Sequence, residues 1–214
     1  MKAFVYDLEI VKAIPTNKEP HQFDIEYCAG WNDHKNMGIS VLCGYDFHER
    51  RYRVFTDSNQ EEFFALAADR LLVTFNGYGF DNRVIAACWG GGSHLTEEVL
   101  NENHYDILVE LWLASGLVPP FSGRSHSGFS LDDTARINFG TTKTGNGALA
   151  PIWWQQGKIG DVVDYCLQDV KLTANLFVAI ALTGGLISPK SSERLAMAEI
   201  PKTFYDGREP PHAL

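Results

Sequence analysis

The stretch AFVYDLEI, residues 3–10, reads as a β-strand in which Phe4, Tyr6, Leu8 and Ile10 point to one side and Val5, Asp7 and Glu9 to the other. Asp7 and Glu9 therefore share a face, about 6–7 Å apart along the strand. A purely structural strand avoids two like charges there, whereas a cation site wants them. Taken alone, D-x-E is short and common, and a solvated strand face would explain it.

Two more segments place acids at the ends or on the inner faces of apolar elements. Leu71 to Phe75 is a short apolar run of the kind a buried strand shows, Asn76-Gly77-Tyr78-Gly79 is a turn signature, and Phe80 and Asp81 open the helical stretch DNRVIAACW. Asp81 thus falls between a strand's carboxyl end and a helix start, where an N-cap role would also suit it. Further on, Asp161 to Leu182 can be placed on a helical wheel. Asp164, Gln168, Lys171 and Asn175 form one polar sector, the solvent face, and Asp169 lies roughly 130° from its centre, with Tyr165, Leu172 and Leu176. Val163, Cys166, Val170 and Phe177 fill the adjoining apolar sector. Asp169 points inward, where its carboxylate needs an ion pair, capping donors or a metal. Buried acids cost several kcal/mol unless something cationic meets them, and a divalent metal is a natural partner for carboxylate oxygens.

The order of elements is a strand at 3–9, a long irregular stretch to about residue 36, strands near 37–45 and 50–56, a helix at 60–69, a strand at 71–75, a helix at 80–89, a strand at 104–108, and helices thereafter. The early strands GISVLCGYDF and RRYRVFTD read as a hairpin, and the alternation that follows predicts a mixed sheet flanked by helices. At 214 residues and 45% hydrophobic content, the chain can bury a substantial core and is expected to be a single domain, 1–214. With no run of 18 apolar residues, and with Asp7 and Glu9 where a signal peptide needs an apolar stretch, a cytoplasmic protein with no membrane partner is expected. Cys28, Cys43, Cys88 and Cys166 form no C-x-x-C pair, so reduced core thiols are expected rather than a zinc site. The net charge of −9 disfavours broad nucleic-acid affinity. It does not exclude a metal-filled cleft, because two divalent cations would cancel the four acids locally.

Together the three segments resemble the DEDD superfamily of 3′-to-5′ exonucleases, which includes polymerase proofreading domains. DLE resembles its first motif, FNGYGFD its second and YCLQD its third, over residues 4–178. Tyr165, four residues before Asp169, matches the tyrosine form of the third motif, and Asp164 stands where the other form has histidine. HYDILVEL and SLDDTARINFG are similar to connecting elements of the exonuclease domain of family B DNA polymerases. The resemblance implies an α/β, ribonuclease H-like fold with a mixed five-stranded sheet flanked by helices. It also implies two divalent ions, Mg²⁺ or Mn²⁺, held by Asp7, Glu9, Asp81 and Asp169, with Tyr165 orienting the attacking water. The implied substrate is nucleic acid with a free 3′ end, single-stranded DNA above all, with Leu8, Asn76, Tyr78 and Phe80 as candidate contacts; the glycine-rich stretch around Lys143 offers that lysine as a phosphate contact, and the acidic net charge points to a protein partner that supplies processivity.

Asp106, Asp132 and Asp133 read as strand-end and N-cap residues, not catalytic ones. PFSGRSHSGFS, with Arg124, His126 and Phe129, could grip a strand and stack a base. GTTKTGNG fails the phosphate-loop pattern, since Gly145 is followed by Asn146 and Gly147. Trp153 and Trp154 fit core packing. Between Tyr78 and Phe80, the turn position of Tyr78 favours it as the residue touching a terminal nucleotide and Phe80 as the packing residue. The rival readings are an RNA-trimming 3′-to-5′ exonuclease and a non-catalytic nucleic-acid-binding module of the same fold.

Overall fold

The computed structural model describes residues 1–16, 21–91, 96–141 and 147–207. The strand Ala3–Ile10 (β1) lies at the centre of a five-stranded mixed sheet. After the short helix His34–Met37 (α1) come Ile39–Asp46 (β2) and Arg51–Phe55 (β3), the expected hairpin. Gln60–Ala67 (α2), Leu71–Thr74 (β4), Asp81–Cys88 (α3), Glu97–Glu102 (α4) and His104–Asp106 (β5) follow. The strand order is β3-β2-β1-β4-β5. β1 runs antiparallel to β2 and parallel to β4, and β4 parallel to β5. The remaining elements are Ile107–Ala114 (α5), Gly123–His126 (α6), Leu131–Phe139 (α7), Ala150–Gln155 (α8), Ile159–Thr183 (α9), Gly185–Ile187 (β6) and Arg194–Ala196 (β7).

A strand at the centre of a sheet is covered on both faces, and the alternation in β1 divides its side chains between two cores. Phe4, Tyr6, Leu8 and Ile10 join Leu42, Phe55, Phe63, Val84 and Ile85 under α2 and α3. Ala3 and Val5 join Val41, Cys43, Val73 and the inner face of α9. Asp7 and Glu9 share the face of Val5, so they look toward α9. That helix buries Val162, Tyr165, Cys166, Asp169, Val170, Leu172, Leu176 and Phe177, while Asp164, Gln168 and Lys171 are exposed, as the wheel predicts. Among the described residues, α9 is long and apolar enough to cross a membrane. Here it packs on β1 and β2 as a core helix.

The pairing register explains why the acids are accessible at all. β1 pairs with β4 only from Ala3 to Val5, opposite Leu71 to Val73. Beyond Thr74 the neighbouring chain turns away, and the second half of β1 borders a crevice at the carboxyl end of the parallel strands. That is where open α/β sheets bind ligands.

Several elements differ from the sequence expectation. The strand expected at 104–108 ends at Asp106, because the Asp106 carboxylate caps α5 immediately, accepting from the backbone amides of Leu108 and Val109. The helix at 131–139 is capped by Ser130, whose hydroxyl accepts from the Asp133 amide, so Asp132 and Asp133 sit in its first turn rather than at the cap. The β6–β7 hairpin falls where only helices were expected.

Gly44, opposite Tyr6 in the β1–β2 ladder, has the Phe4 ring lying over its Cα, and a Cβ there would fall on that ring. Gly44→Val should therefore cost about 1–3 kcal/mol or more of stability through overpacking, seen as a lower urea midpoint. An unchanged midpoint would contradict this packing.

Candidate active site

One cavity of about 440 Å³ collects three of the four acids named from sequence. Asp7, Glu9, Tyr165 and Asp169 line it, with Leu8 and Phe80 beside them. Glu9, Tyr165 and Asp169 are otherwise almost wholly buried, at 7%, 7% and 5% exposure. Asp81 is brought to the same place by its Oδ1, which accepts from the Leu8 backbone amide at 3.2 Å. A single peptide of β1 thus joins the three segments: Leu8 holds Asp81 from one side, while Asp7 and Glu9, on either side of it, face Tyr165 and Asp169 from α9.

Asp81 owes its position to the turn before it. Asn76 adopts φ 80°, and the amides of Asn76 and Tyr78 both donate to the Asp106 carboxylate at 2.9 Å. Together with the amides of Leu108 and Val109, four backbone donors converge on one buried carboxylate. Beneath the turn, the Gly77 amide donates to Thr74 Oγ1 at 3.0 Å, and Thr74 Oγ1 lies 2.7 Å from His104 Nε2. Asn82 Nδ2 lies 2.8 Å from His104 Nδ1, and the Tyr6 hydroxyl donates to Asn82 Oδ1. Burial pushes His104 down to about 3, so it is neutral in this network. Asp106 is therefore a strand-end and capping residue, as read from sequence. It also holds the loop that delivers Asp81, a role sequence reasoning missed.

Of the two turn aromatics, Phe80 packs against the core as expected and also borders the cavity, while Tyr78 is turned toward His104. Tyr78 packs on His104 with ring centroids 4.7 Å apart and donates its hydroxyl to the His104 carbonyl at 3.2 Å; Phe80 lines the cavity. Asn76 acts through its backbone in the turn. Leu8 borders the cavity but is 4% exposed and packs in the core beneath it. Lys143 and the side chain of Arg124 lie outside the described residues. His126 and Phe129 are buried, His126 against Trp112 at 4.8 Å between centroids and Phe129 in the core, which removes them as strand-gripping and base-stacking groups.

Two further residues complete the site. The Cys166 thiol donates to the Asp7 carbonyl at 3.3 Å and lies 3.7 Å from Asp7 Oδ2. Its sulfur and carboxylate oxygens of Asp7 and Glu9 all lie within 4.8 Å of one another. Burial, the Cys43 thiol and then the two carboxylates hold Cys166 well above the usual thiol range, so it serves as a neutral donor steadying Asp7. Gly147 lies over the Tyr165 hydroxyl, and a Cβ there would sit 3.2 Å from that oxygen. Trp153 packs edge-on against the Tyr165 ring at 6.2 Å. At Gly147 a side chain would crowd the tyrosine's hydroxyl, and glycine avoids that contact.

Carboxylates brought together from three elements, β1, α3 and α9, are the donor set that hard divalent cations take. The residues present fit Mg²⁺ or Mn²⁺, with Asp7, Glu9, Asp81 and Asp169 as the candidate ligands. The electrostatics agree. Burial first, then the charges of Asp106 and Asp169, push Asp81 from its ordinary 3.8 to about 7, against the lowering effect of backbone amides that include Leu8's.

Comparison with known proteins places the chain in a superfamily. The RNase_H_2 family of the RNase_H superfamily matches residues 22–181, and the chain belongs to that superfamily. The match takes in Asp81, Tyr165 and Asp169, while β1 precedes it. Among solved structures, the family B DNA polymerase from the hyperthermophilic archaeon Pyrobaculum calidifontis superposes with a TM-score of 0.54 and 14% identity. The alignment covers 83% of this chain and 24% of the polymerase, so the chain spans about a quarter of that protein, and the likeness is one of fold. No curated protein matches.

Because Asp81 binds its proton more tightly folded than unfolded, its contribution to stability is full below about pH 4 and is lost as pH rises to 7. In chelator, Asp81→Asn should match the wild type near pH 4. It should become more stable by up to about 4 kcal/mol at pH 8, read from denaturant midpoints across pH. A difference independent of pH would contradict this burial of the charge.

Proposed function

We propose that the protein is a metal-dependent 3′-to-5′ exonuclease of the tyrosine-type DEDD class that removes nucleoside 5′-monophosphates from single-stranded DNA. The observation that carries this reading is the meeting of Asp7, Glu9, Tyr165 and Asp169 in one cavity, with Asp81 tied to the peptide between the first two. The RNase_H superfamily membership and the polymerase-like fold support a nuclease-type function.

In this reading, the four carboxylates hold two divalent ions, which supply a lowered pKa for the attacking water and charge stabilisation for the leaving 3′-oxygen. The chain's own residues do the positioning. Asp81 is fixed from behind by the Leu8 amide and from its loop by Asp106, so its carboxylate is pre-organised. Tyr165 holds the water by its hydroxyl, with Trp153 packed against the ring and Gly147 adding no side chain beside the oxygen. Cys166 steadies the backbone of β1 at Asp7 through its carbonyl. The crevice admits a chain end, and single strands enter it more readily than blunt duplexes.

A 5′-labelled DNA oligonucleotide should shorten as a ladder in Mg²⁺ or Mn²⁺, stop in chelator and survive when its 3′ end is blocked. Cleavage of a closed circular strand would show an endonuclease, and faster digestion of the matched RNA would move the substrate to RNA. Full activity in excess chelator would defeat the metal reading. Tyr165→Phe should lower turnover about 10- to 1,000-fold while costing at most about 0.5–1.5 kcal/mol of stability. Wild-type turnover in that variant, with chemistry rate-limiting, would remove Tyr165 from the mechanism.

A further inference from the structure

The cavity is not acidic throughout. Its other lobe is apolar, formed by Ile10, Ile14, Trp31 and Phe80. Trp31 comes from the long segment after β1, and it is 68% exposed although it is among the largest apolar side chains in the protein. An indole left that open has not been placed for core packing. Its ring meets Phe80 edge-on at 6.0 Å between centroids, one residue from Asp81.

The segment that carries Trp31 is held in place. Ala13 and Tyr27 form a bridge, the Cys28 amide donates to the Ala13 carbonyl, and Gln155 of α8 bonds both Val11 and Glu26. The turn itself is closed by Asp33, which accepts from the Ala29 amide at 2.8 Å and from Asn36 Nδ2 at 2.7 Å. Those two hydrogen bonds hold the Asp33 carboxyl below its ordinary range, so the clasp is charged at neutral pH. An exposed aromatic on a fixed turn, at the rim of a cavity whose floor carries the acids, is suited to a flat apolar group attached to an anion.

We propose that Trp31 is a base-binding residue that stacks on the unpaired nucleobase at the 3′ end while the adjoining phosphodiester lies over the acids. This rests on the exonuclease reading and extends it. Every base has a stacking face, so the subsite is indifferent to sequence. It requires that the terminal base be present and unpaired.

The test compares wild type, Trp31→Ala and Trp31→Phe on three probes with Mn²⁺: an oligothymidylate, the same strand ending in an abasic 3′ residue, and bis(p-nitrophenyl) phosphate, which has no base. Trp31→Ala should lower kcat/KM on the oligothymidylate by about 5- to 150-fold. It should leave the abasic-ended strand and the small diester unchanged, and Trp31→Phe should recover most of the loss. An equal loss on all three probes, or none on the oligothymidylate, would overturn the base subsite while leaving the nuclease reading intact. Wild-type protein that hydrolyses none of the three would overturn the exonuclease reading and the subsite with it.

Discussion

Carboxylates gathered at one end of a central strand repel one another and resist desolvation, and the rest of the site depends on how the fold holds them there. Glu9, Asp81 and Asp169 are almost fully buried, and Asp81 is pushed to about 7. Left to itself, such a cluster protonates or opens. The protein counters with directed donors: the Leu8 amide on Asp81 and the Cys166 thiol on Asp7. Each donor steadies its acidic residue without itself carrying a full positive charge.

A second tier of interactions keeps that arrangement from relaxing. Asp106 accepts four backbone amides from two elements, so the loop before Asp81 and the start of α5 share one anchor. The neutral His104 fills the space beneath, with Thr74 and Asn82 on its two ring nitrogens. The stability of the site is therefore coupled to that of the β4–β5 edge. A disturbance at Asp106 would be felt at Asp81 without touching the cavity.

Features written as periodicity within one element could be read from the sequence. The strand at 3–10 alternates, α9 keeps its polar sector outside, and the turn at 76–79 carries Asn and Gly, so the central strand, the core helix and the acids' neighbourhood were all legible. What stayed hidden depends on contacts between distant elements. Nothing local marks Gly147 as the residue over the Tyr165 hydroxyl, or Cys166 as a donor rather than core filling. The surroundings of Tyr78 were not legible, because its contact with His104 is tertiary. Asp132 and Asp133 looked like caps because cap and first-turn positions favour the same residue types. The hydroxyl of Ser130 took the cap.

The central claim is that these acids form one divalent-ion centre, and counting bound Mn²⁺ by electron paramagnetic resonance tests it most directly. The titration would use the wild type and Asp169→Asn, each folded and with a nucleoside 5′-monophosphate present. The account predicts two ions per wild-type chain and at least one fewer in the variant. Equal occupancy in both proteins, or no binding by the wild type at millimolar Mn²⁺, would contradict it.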